Sequence, residues 1–301
     1  MHTIKKLLLL KQKTIMKCFL LFSFLSFIQI VSFSQNVDSL TFVSADWNKT
    51  KVKNKVHFYR HHFNEKNLFN SNQNISYVEI KRGCFAPKLQ IGYHKNQLIT
   101  TGNFGKQYNA AIALNGSFFD IKNGGSVNYL RIDNEVIDTN RISSQTVRGQ
   151  RALAAVGIDK KGKLHIAKFN EQSNWEKGYN WPHMLASGPI LQYKGNTEEL
   201  KNEKFNTARH PRSAVGVKAN GNVILLTVDG RHANAQGADM WEMQKIMRWL
   251  GCVSSINLDG GGSTTLWIKG FPDNGVVNYP SDNKQWDHYG ERKVANVILV
   301  K

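Results

Sequence analysis

The sequence places two acidic residues directly after apolar stretches, and each is followed by glycine. Asp229 comes after the run 223–228, and Asp259 comes after the run 253–258. A carboxylate in a pocket can stabilise developing positive charge, attack as a nucleophile or activate a water molecule. Because both acids stand at the ends of predicted strands, they are the first candidates for reactive groups.

Asp259 is followed by three consecutive glycines and then by residues that carry hydroxyl groups. Glycine loses more conformational freedom on folding than any other residue, so a run of three is unfavourable unless the backbone requires it. Such a run suits a place where the main chain approaches a ligand closely, or where several N–H groups converge on an anion. We therefore predict a binding loop made of Gly260, Gly261, Gly262, Ser263 and Thr264.

Two further segments combine glycine with polar or aromatic residues at predicted strands. Asn115, Gly116 and Phe119 follow an apolar strand, and the amide and the ring are candidates for contacts with a ligand. Ser187 and Gly188 interrupt another apolar stretch with residues that strands disfavour. This interruption indicates that a ligand or another backbone segment approaches closely there.

Basic residues at two strand ends are candidates for holding an anion. His210 and Arg212 stand at the beginning of a predicted strand, and Arg231 follows Asp229 by two positions. A guanidinium group can grip a phosphate through two parallel hydrogen bonds. Arg212 alone would be interpreted as a surface ion pair, and only its company with the other segments favours a role in binding.

The elements that must position these groups include one helix between the two acidic turns. Asp239 can cap this helix, Glu242 can complete a capping box, and Gly251 can end it. The capping role explains Glu242 better than a role in the site. The order of strand, helix and strand favours parallel neighbours. Parallel neighbours would bring both acidic residues to the same edge of a sheet, where sites in such sheets form.

The remaining apolar runs are short, are separated by turns rich in glycine and asparagine, and are typical of strands. Many strands with few helices predict an α+β fold, with a mixed, twisted, strand-rich sheet and one main helix in the strand–helix–strand unit. The segment 218–222 between two such runs predicts a hairpin. No repeat or linker divides the chain, so one domain is expected.

The first part of the 301-residue chain is typical of an export signal. Lysines precede an apolar run at 19–33, and small residues before Gln35 suit a cleavage site. We expect residues 1–34 to be a signal peptide, and residues 35–301 to form a domain that is periplasmic, on the cell surface or secreted. After cleavage no stable membrane insertion is expected, although a single membrane anchor remains the alternative.

The formal net charge is +18, and the first 34 residues supply five of these positive charges and no negative one. A basic chain suits an anionic partner such as nucleic acid, an acidic membrane or a phosphorylated glycan. Nucleic acid is not expected, because no recognition helix, aromatic RNA-binding motif or zinc finger accompanies the charge. Cys84 and Cys252 remain after the signal, and the sequence does not decide whether they pair.

Metal binding receives little support from the sequence. His57, His61 and His62 lie along one predicted strand, where alternation divides them between the two faces. Asp229 and Asp259 carry the oxygen ligands that Ca²⁺ or Mg²⁺ prefers. No ligand loop of recognised spacing supports such a site, so we predict no required cofactor and leave a bound divalent cation open.

Taken together and in order, five segments resemble the phosphodiester glycosidase family, over about residues 109–301. They are Asn115-Gly116-Ser117-Phe118-Phe119, Ser187-Gly188-Pro189, Pro211-Arg212-Ser213-Ala214-Val215-Gly216, Asp229-Gly230-Arg231 and Leu258-Asp259-Gly260-Gly261-Gly262-Ser263. The last is the most specific, and Ser117 departs from a glycine that is common in the family. The resemblance implies removal of a sugar, such as N-acetylglucosamine, from a phosphate diester.

In that chemistry, one of Asp229 and Asp259 would face the anomeric carbon, and the other would position it or hold a water molecule. The sequence does not say which is which. Arg212, Arg231 and the glycine amides would stabilise the phosphate leaving group. Two alternatives stay open. One is a non-catalytic protein that binds phosphoglycans, and the other is a metal-dependent phosphodiesterase that cleaves the P–O bond.

Overall fold

The computed structural model describes residues 37–95, 97–140, 149–172 and 174–301. Residues 45–301 form one compact unit, and the preceding segment is a separate unit whose described part contains helix α1 (residues 37–43). The signal peptide predicted at 1–34 lies outside the described residues. No helix in the described ranges combines the length and the apolar composition needed to cross a membrane.

The largest sheet has eight strands. They are β1 (Asn48–Lys53), β2 (Val56–Leu68), β3 (Ser71–Ile80), β12 (Ile190–Tyr193), β13 (Asn196–Thr197), β14 (Arg212–Lys218), β15 (Val223–Val228) and β16 (Cys252–Asn257). Their order across the sheet is β1-β2-β3-β15-β14-β16-β12-β13. Strand β1 is therefore an edge, and its exposed lysines alternate with less exposed residues. Charged side chains of this kind protect an open edge from pairing with other chains.

Two smaller sheets pack with the large one. One contains β7 (Leu130–Ile132), β8 (Glu135–Asp138), β9 (Ala154–Ile158), β10 (Leu164–Lys168) and β11 (His183–Ser187), and the other contains β4 (Leu89–Tyr93), β6 (Ile112–Asn115), β17 (Leu266–Ile268) and β19 (Asn296–Val300). A two-stranded ribbon is made of β5 (Ile99–Thr100) and β18 (Lys293–Val294), and the remaining helices are α2 (Thr101–Gln107), α3 (Lys204–Thr207) and α4 (Met240–Trp249). The α+β class is confirmed, because strands dominate and helices are few.

One apolar core joins the three main sheets. Leu225 of the eight-stranded sheet, Val156 of the five-stranded sheet and Leu114 of the four-stranded sheet belong to a single cluster of fully buried side chains. Strand β15 is buried along its whole length, and burial of both faces explains its continuous apolar sequence. The residues that follow β15 and β16 are thus fixed on a rigid base.

The strand–helix–strand unit differs from the expectation in one respect. Strand β14 lies between β15 and β16 and pairs with both in antiparallel fashion. The two outer strands are parallel to each other but are not neighbours. Arg212 pairs with Val228 and Ala214 pairs with Asn257, so both strands still end beside the start of β14. The shared edge survives because an antiparallel strand inserted between two others leaves them parallel.

Helix α4 has the predicted ends. The Asp239 carboxylate accepts a hydrogen bond from the Glu242 backbone N–H at 2.8 Å. In turn, the Glu242 carboxylate accepts one from the Asp239 backbone N–H at 3.0 Å. Gly251 follows the helix with a φ of +82°, a conformation that favours glycine. Glu242 also binds Arg209, so its carboxylate is fully engaged in the scaffold. The interpretation of Glu242 as a capping residue is confirmed.

The apolar run predicted as one strand at 184–192 forms two strands in different sheets. Strand β11 ends at Ser187, and β12 begins at Ile190 in the eight-stranded sheet. Gly188 and Pro189 connect the two strands where the chain passes from one sheet to the other. This connection explains why residues of poor strand propensity interrupt the run. Cys84 is exposed and Cys252 is buried, and both are free thiols.

Removing the cap of α4 should weaken the fold without changing the core. We expect Asp239→Ala to lower the free energy of unfolding by about 1 kcal/mol, because the N-terminal amides of the helix lose their acceptor. Asp239→Asn, which retains a capping oxygen, is the matched control and should stay close to the parent. Urea denaturation followed by circular dichroism measures both, and an equal loss in the two variants would contradict the capping role.

Candidate active site

The two acidic turns meet on either side of Pro211, the residue that precedes β14. A Cβ atom added to Gly230 would lie 2.8 Å from the Pro211 nitrogen, and one added to Gly260 would lie 2.6 Å from the Pro211 carbonyl oxygen. These distances are too short for any side chain, so only glycine permits the approach. Asp229 and Asp259, which directly precede these glycines, therefore emerge at one edge of the large sheet.

The backbone of Asp259 is held by the end of strand β6. The Asn115 side chain donates from Nδ2 to the Asp259 carbonyl oxygen at 2.7 Å, and the Asp259 N–H donates to the Gly116 carbonyl oxygen at 2.9 Å. Asn115 Oδ1 accepts from the Ser213 hydroxyl at 2.6 Å and from the Thr265 N–H at 3.1 Å. Asn115 is fully buried. Asn115 was predicted to contact a ligand, and the structure shows its amide engaged in positioning Asp259.

Ser187 and Gly188 have a similar supporting role, and of the two expected neighbours, a ligand or another backbone segment, the structure shows the backbone segment. The Ser187 hydroxyl donates to the Asn257 carbonyl oxygen at 2.9 Å, and Asn257 Nδ2 donates to the Gly188 carbonyl oxygen at 2.9 Å. A Cβ on Gly188 would lie 2.1 Å from the Gln150 carbonyl oxygen. These contacts fix the end of β16, two residues before Asp259.

The triglycine turn does not form the anion-binding nest that its composition suggested. The Gly260 N–H donates to Asp259 Oδ1 at 2.9 Å, and the Gly261 N–H donates to the Pro211 carbonyl oxygen at 2.8 Å. The Ser263 and Thr264 amides bond to carbonyl oxygens within the turn. Two of the three glycine amides, and those of Ser263 and Thr264, thus have partners inside the chain, and the glycines also serve another purpose.

That purpose is the close approach of two arginines. A Cβ on Gly261 would lie 2.8 Å from Arg231 Nη2. One on Gly262 would lie 2.4 Å from Asp282 Oδ1 and 2.5 Å from Arg292 Nη2, and these two side chains form an ion pair with each other. Gly261 also has a φ of +61°. The absence of side chains lets guanidinium groups lie directly against the turn that follows Asp259. The site thus attracts anions through side-chain charge.

Asp259 is half-buried, and its carboxylate is surrounded by positive charge. Burial raises its pKa to about 6, although the Ser263 side chain, the Gly260 N–H and the charges of Arg292 and Arg151 act to lower it. At neutral pH the ionised form therefore predominates by about ten to one. The group is available as a nucleophile or as a partner for positive charge.

Asp229 is 1% exposed and is enclosed by hydrogen-bond donors. Asn74 Nδ2 donates to Oδ2 at 2.7 Å, and Asn278 Nδ2 and the Tyr279 N–H donate to Oδ1 at 2.8 and 3.0 Å. Burial raises the pKa of Asp229 to about 7 against these hydrogen bonds. Asn278 Nδ2 also donates to the Thr264 carbonyl oxygen at 3.1 Å. Asn278 therefore links Asp229 to the loop that follows Asp259, and Asp229 supports this loop.

The surroundings of Asp229 fit a divalent cation poorly. Ca²⁺ and Mg²⁺ require oxygen ligands, whereas two amide nitrogens and a backbone N–H point at this carboxylate. Within the described ranges, no group of three or more His, Cys, Asp or Glu side chains is placed to hold a metal ion. The three histidines of β2 accordingly form no such cluster.

Arg212 is almost fully buried and mostly committed to the scaffold. Its Nε donates to the Ala238 carbonyl oxygen at 2.9 Å, and its Nη2 donates to those of Phe205 and Ala208 at 2.9 and 2.7 Å. Burial lowers its pKa to about 10, which leaves it charged at neutral pH. The predicted two-pronged grip on phosphate would need the nitrogens already bound to carbonyls. Only Nη1 remains for an end-on contact.

Arg151 and Arg231 are better placed to meet an anion. Both are exposed, and the described residues provide neither with an acidic partner. Arg151 lies over the rings of Phe118 and Phe205, at 5.1 and 4.5 Å from the ring centres to Cζ. Its charge acts on both Asp259 and Arg212. These two guanidinium groups give the site an uncompensated positive charge.

The aromatic pair that follows Asn115 is divided between two environments. The ring of Phe118 contacts the guanidinium group of Arg151, whereas the ring of Phe119 packs against the apolar cluster of Trp267 and Phe104. Successive residues of an extended chain face opposite ways, so the partly buried ring of Phe119, predicted to contact a ligand, lies against this cluster. Phe118 is the ring that borders the arginines.

The other predicted binding residues lie at the same edge but are largely enclosed. His210 is paired through its backbone with Ala238, and burial followed by the charges of Arg212 and Arg231 lowers its pKa. Ser263 and Thr264 are fully buried. The Ser263 side chain acts on the Asp259 carboxylate and lowers its pKa, whereas the Thr264 hydroxyl has no hydrogen-bond partner among the described residues. They line the turn from within.

Sequence reasoning missed several residues of this site. Asn278 stands directly after the valines at 276 and 277, and a polar residue at the end of an apolar pair was a usable signal. Arg151 and Arg292 gave no local signal, because each acquires its place through contacts with segments distant in sequence. Asn74 ends an otherwise unremarked polar stretch in β3.

Comparison with known proteins identifies the family. A model of the phosphodiester glycosidase (NAGPA) family matches residues 108–301. The chain belongs to the phosphodiester glycosidase family. The matched region includes all five segments that meet at the triglycine turn. Both catalytic candidates and the buried asparagine that positions one of them thus lie within the family's domain.

Two curated relatives are N-acetylglucosamine-1-phosphodiester alpha-N-acetylglucosaminidases. The mouse protein is 29% identical over 204 residues, and the human protein is 28% identical over 206 residues. Each alignment covers 63% of this chain but only 37% of the relative, so the chain spans little more than a third of their length.

Solved structures share the fold of this phosphodiester glycosidase family member. The catalytic domain of the zebrafish N-acetylglucosamine-1-phosphodiester alpha-N-acetylglucosaminidase, auto-inhibited by its pro-peptide, matches with a TM-score of 0.61 and 20% identity, covering 81% of this chain and 82% of that one. A hypothetical protein from Synechocystis matches with a TM-score of 0.63 and 15% identity, covering 85% and 64%.

The two carboxylates should titrate well above the usual range and respond differently to the arginines. We expect pKa values of about 7 for Asp229 and about 6 for Asp259, measured by carbon-13 NMR of the carboxyl groups. Arg151→Met should raise the pKa of Asp259 further, because a neighbouring positive charge is lost, and should leave Asp229 unchanged.

Lys177→Met, which removes an exposed charge elsewhere, is the matched control. Because both folded pKa values exceed the unfolded value of 3.8, the folded chain binds more protons between about pH 4 and 7. The contribution of these two groups to the free energy of unfolding therefore decreases as the pH rises through this window. Titration of Asp259 near 3.8 would contradict the enclosed site.

Proposed function

We propose that the protein is a hydrolase that cleaves the sugar C1–O bond of a sugar-1-phosphodiester, such as an N-acetylglucosamine-1-phosphate diester. The observation that carries this proposal is the ionisable carboxylate of Asp259, on which the charge of Arg151 acts, followed by a turn against which Arg231 lies at Gly261. Among the described residues neither guanidinium group has an acidic ion-pair partner. A glycosidase acting on a phosphodiester needs both features. Family membership and the names of the relatives support the same reaction.

The arginines suit the leaving group. When the sugar C1–O bond breaks, its electron pair stays on the phosphate oxygen, and the phosphate becomes a monoester with a second pKa near 6. This leaving group requires little proton donation. Arg231 and Arg151 interact more strongly with the phosphate as its negative charge grows, so their stabilisation is larger in the transition state than in the bound substrate.

The two acids have different roles in this proposal. Asp259 faces the reacting sugar, where positive charge grows on the anomeric carbon as the bond breaks. Its carboxylate stabilises this charge, and it attacks the carbon or activates the water that does so. Asp229, enclosed by Asn74, Asn278 and Tyr279, is a positioning residue that holds the loop of Asp259. The sequence had left this assignment open.

We also propose that the protein acts outside the cytoplasm, in the periplasm, on the cell surface or after secretion. The lysines and the apolar run at 19–33 support export. The anionic partner is a carbohydrate phosphodiester, and the arginines at Asp259 supply the complementary charge.

Product analysis in oxygen-18 water tests the reaction and separates it from its alternatives. We expect the label in the released sugar, which means C–O cleavage. Label in the phosphate means P–O cleavage and would identify a phosphodiesterase instead. Absence of turnover with retained binding of the diester would identify a non-catalytic binding protein.

Asp259→Asn should reduce kcat by about 100-fold or more, because the amide cannot act as nucleophile, base or counter-charge. For the parent, kcat/KM should fall as the pH drops below about 6, where Asp259 becomes protonated. Circular dichroism verifies that the variant is folded. Normal activity in a folded Asp259→Asn variant would remove this residue from the mechanism.

The two unpaired arginines should contribute to recognition of the phosphate and not of the sugar. Arg231→Met and Arg151→Met should each lower kcat/KM for the diester by roughly tenfold, since each removes a charge-assisted hydrogen bond. The inhibition constant of the neutral sugar product should stay within a factor of about two. Lys177→Met is the control for loss of charge. Equal weakening of neutral and charged ligands would show that the arginines only maintain the fold.

A further inference from the structure

A second cavity lies at the end of β15 that is remote from the acidic residues. Its volume is about 400 Å³, and it is lined by the end of β3, the segment 81–89, the turn 161–164 and the beginning of β15. Val223 borders this cavity, whereas Val228 at the other end of β15 adjoins Asp229. Five steps of a strand correspond to about 17 Å. We call this feature the distal cavity.

The walls of the distal cavity are fixed by backbone hydrogen bonds between different segments. The Leu89 N–H donates to the Gly162 carbonyl oxygen at 3.0 Å, and the Arg82 N–H donates to Asn222 Oδ1 at 3.0 Å. A Cβ on Gly221 would lie 2.8 Å from Arg82 Cδ. The segments meet in the folded chain without a ligand, so the cavity is formed in advance of binding.

Four basic residues line the distal cavity, and no acidic residue does. They are Lys81, Arg82, Lys161 and Lys163. The nearby acids have other partners. Asp159 accepts from the backbone N–H groups of the turn at 161 and 163 and contacts His165, while Glu79 accepts from Lys218 and Asn222. Glu79 also interacts with the charge of Lys81. The described lining of the cavity therefore carries an excess of positive charge.

The same cavity also presents an apolar surface. Phe85 is 93% exposed at its rim, although a phenylalanine is usually buried. Pro87 and Leu164 are among the apolar residues that line it. Cations next to an exposed aromatic ring fit a ligand that alternates negative charge with flat apolar faces. A glycan joined through phosphates has this composition, because the C–H face of a sugar packs on an aromatic ring.

We propose that the distal cavity binds an internal sugar-phosphate unit of a longer phosphodiester-linked glycan, while one end of that glycan is cleaved at Asp259. This inference rests on the proposed function and extends it from single diesters to a polymeric substrate. Occupation of two positive sites about 17 Å apart by one chain increases the affinity for long ligands through effective concentration. Short ligands reach only one of the two sites.

The test uses the chain with Asp259→Asn, so that the ligand is not cleaved. Its probes are a fluorescent hexamer and a fluorescent dimer of N-acetylglucosamine-1-phosphate repeats, and binding is followed by anisotropy. We expect the hexamer to bind at least tenfold more tightly than the dimer. Adding Lys161→Ala and Lys163→Ala should abolish most of this difference. Adding Lys177→Ala and Lys201→Ala, which remove the same charge elsewhere on the exposed surface, should preserve it.

Phe85→Ala distinguishes a glycan from other polyanions. It should weaken binding of the hexamer several-fold and leave binding of inorganic polyphosphate unchanged, because only the glycan has a face to pack on the ring. Equal loss in the two lysine pairs would show non-specific attraction and overturn the proposal. So would tighter binding of a single-stranded oligonucleotide or of polyglutamate than of the hexamer.

Hydrolysis by the chain without Asp259→Asn separates failure of this inference from failure of the proposed function. The pair Lys161→Ala and Lys163→Ala should leave kcat/KM for a single aryl diester unchanged and lower it for the hexamer. Unchanged hydrolysis of both substrates overturns the distal cavity alone. Absence of hydrolysis of any diester by the parent chain overturns the proposed function and, with it, the polymeric substrate.

Discussion

The fully buried amide of Asn115 is the contact on which the site depends. It belongs to β6 in the four-stranded sheet, and its Nδ2 donates to the carbonyl oxygen of Asp259 after β16 in the eight-stranded sheet. Ser187, at the end of β11 in the five-stranded sheet, bonds to the backbone two residues earlier. Three sheets therefore meet at the segment 257–259. Because a buried amide without partners is unfavourable by a few kcal/mol, this junction resists rearrangement and keeps the carboxylate in place.

The chemistry at the strand ends could be predicted from the sequence because it is local. Asp-Gly after an apolar run and the capping box of α4 each depend on a few consecutive residues. The insertion of β14 between β15 and β16 depends on pairing between distant segments, which no local pattern encodes. For the same reason Arg151 and Asn278 gave little or no signal, although they are central to the electrostatics of Asp259 and Asp229.

The composition of the triglycine turn indicated where an anion would bind, but it indicated the wrong groups as those that attract the anion. We expected amides that converge on an anion, but the amides of Gly260 and Gly261 have acceptors within the chain. Gly261 makes room for Arg231, and Gly262 makes room for the ion pair of Arg292 and Asp282. Both explanations predict an anion at the same position. They differ in physical origin, since backbone amides carry partial charges and guanidinium groups carry full ones. The sequence alone could not separate them, because the arginines reach the turn from other parts of the chain.

The same arginines connect the state of Asp259 with the binding of an anion. Burial alone would favour the protonated acid, and the charges of Arg151 and Arg292 oppose this by lowering its pKa. A phosphate bound among the guanidinium groups is attracted by their positive charge and partly cancels their electric field. It therefore reduces the effect by which these groups lower the pKa of Asp259 and keep it ionised. As the bond to the sugar breaks, the phosphate becomes more negative and the sugar more positive. The arginines and Asp259 then stabilise opposite charges, so a single cluster favours the transition state over the bound diester.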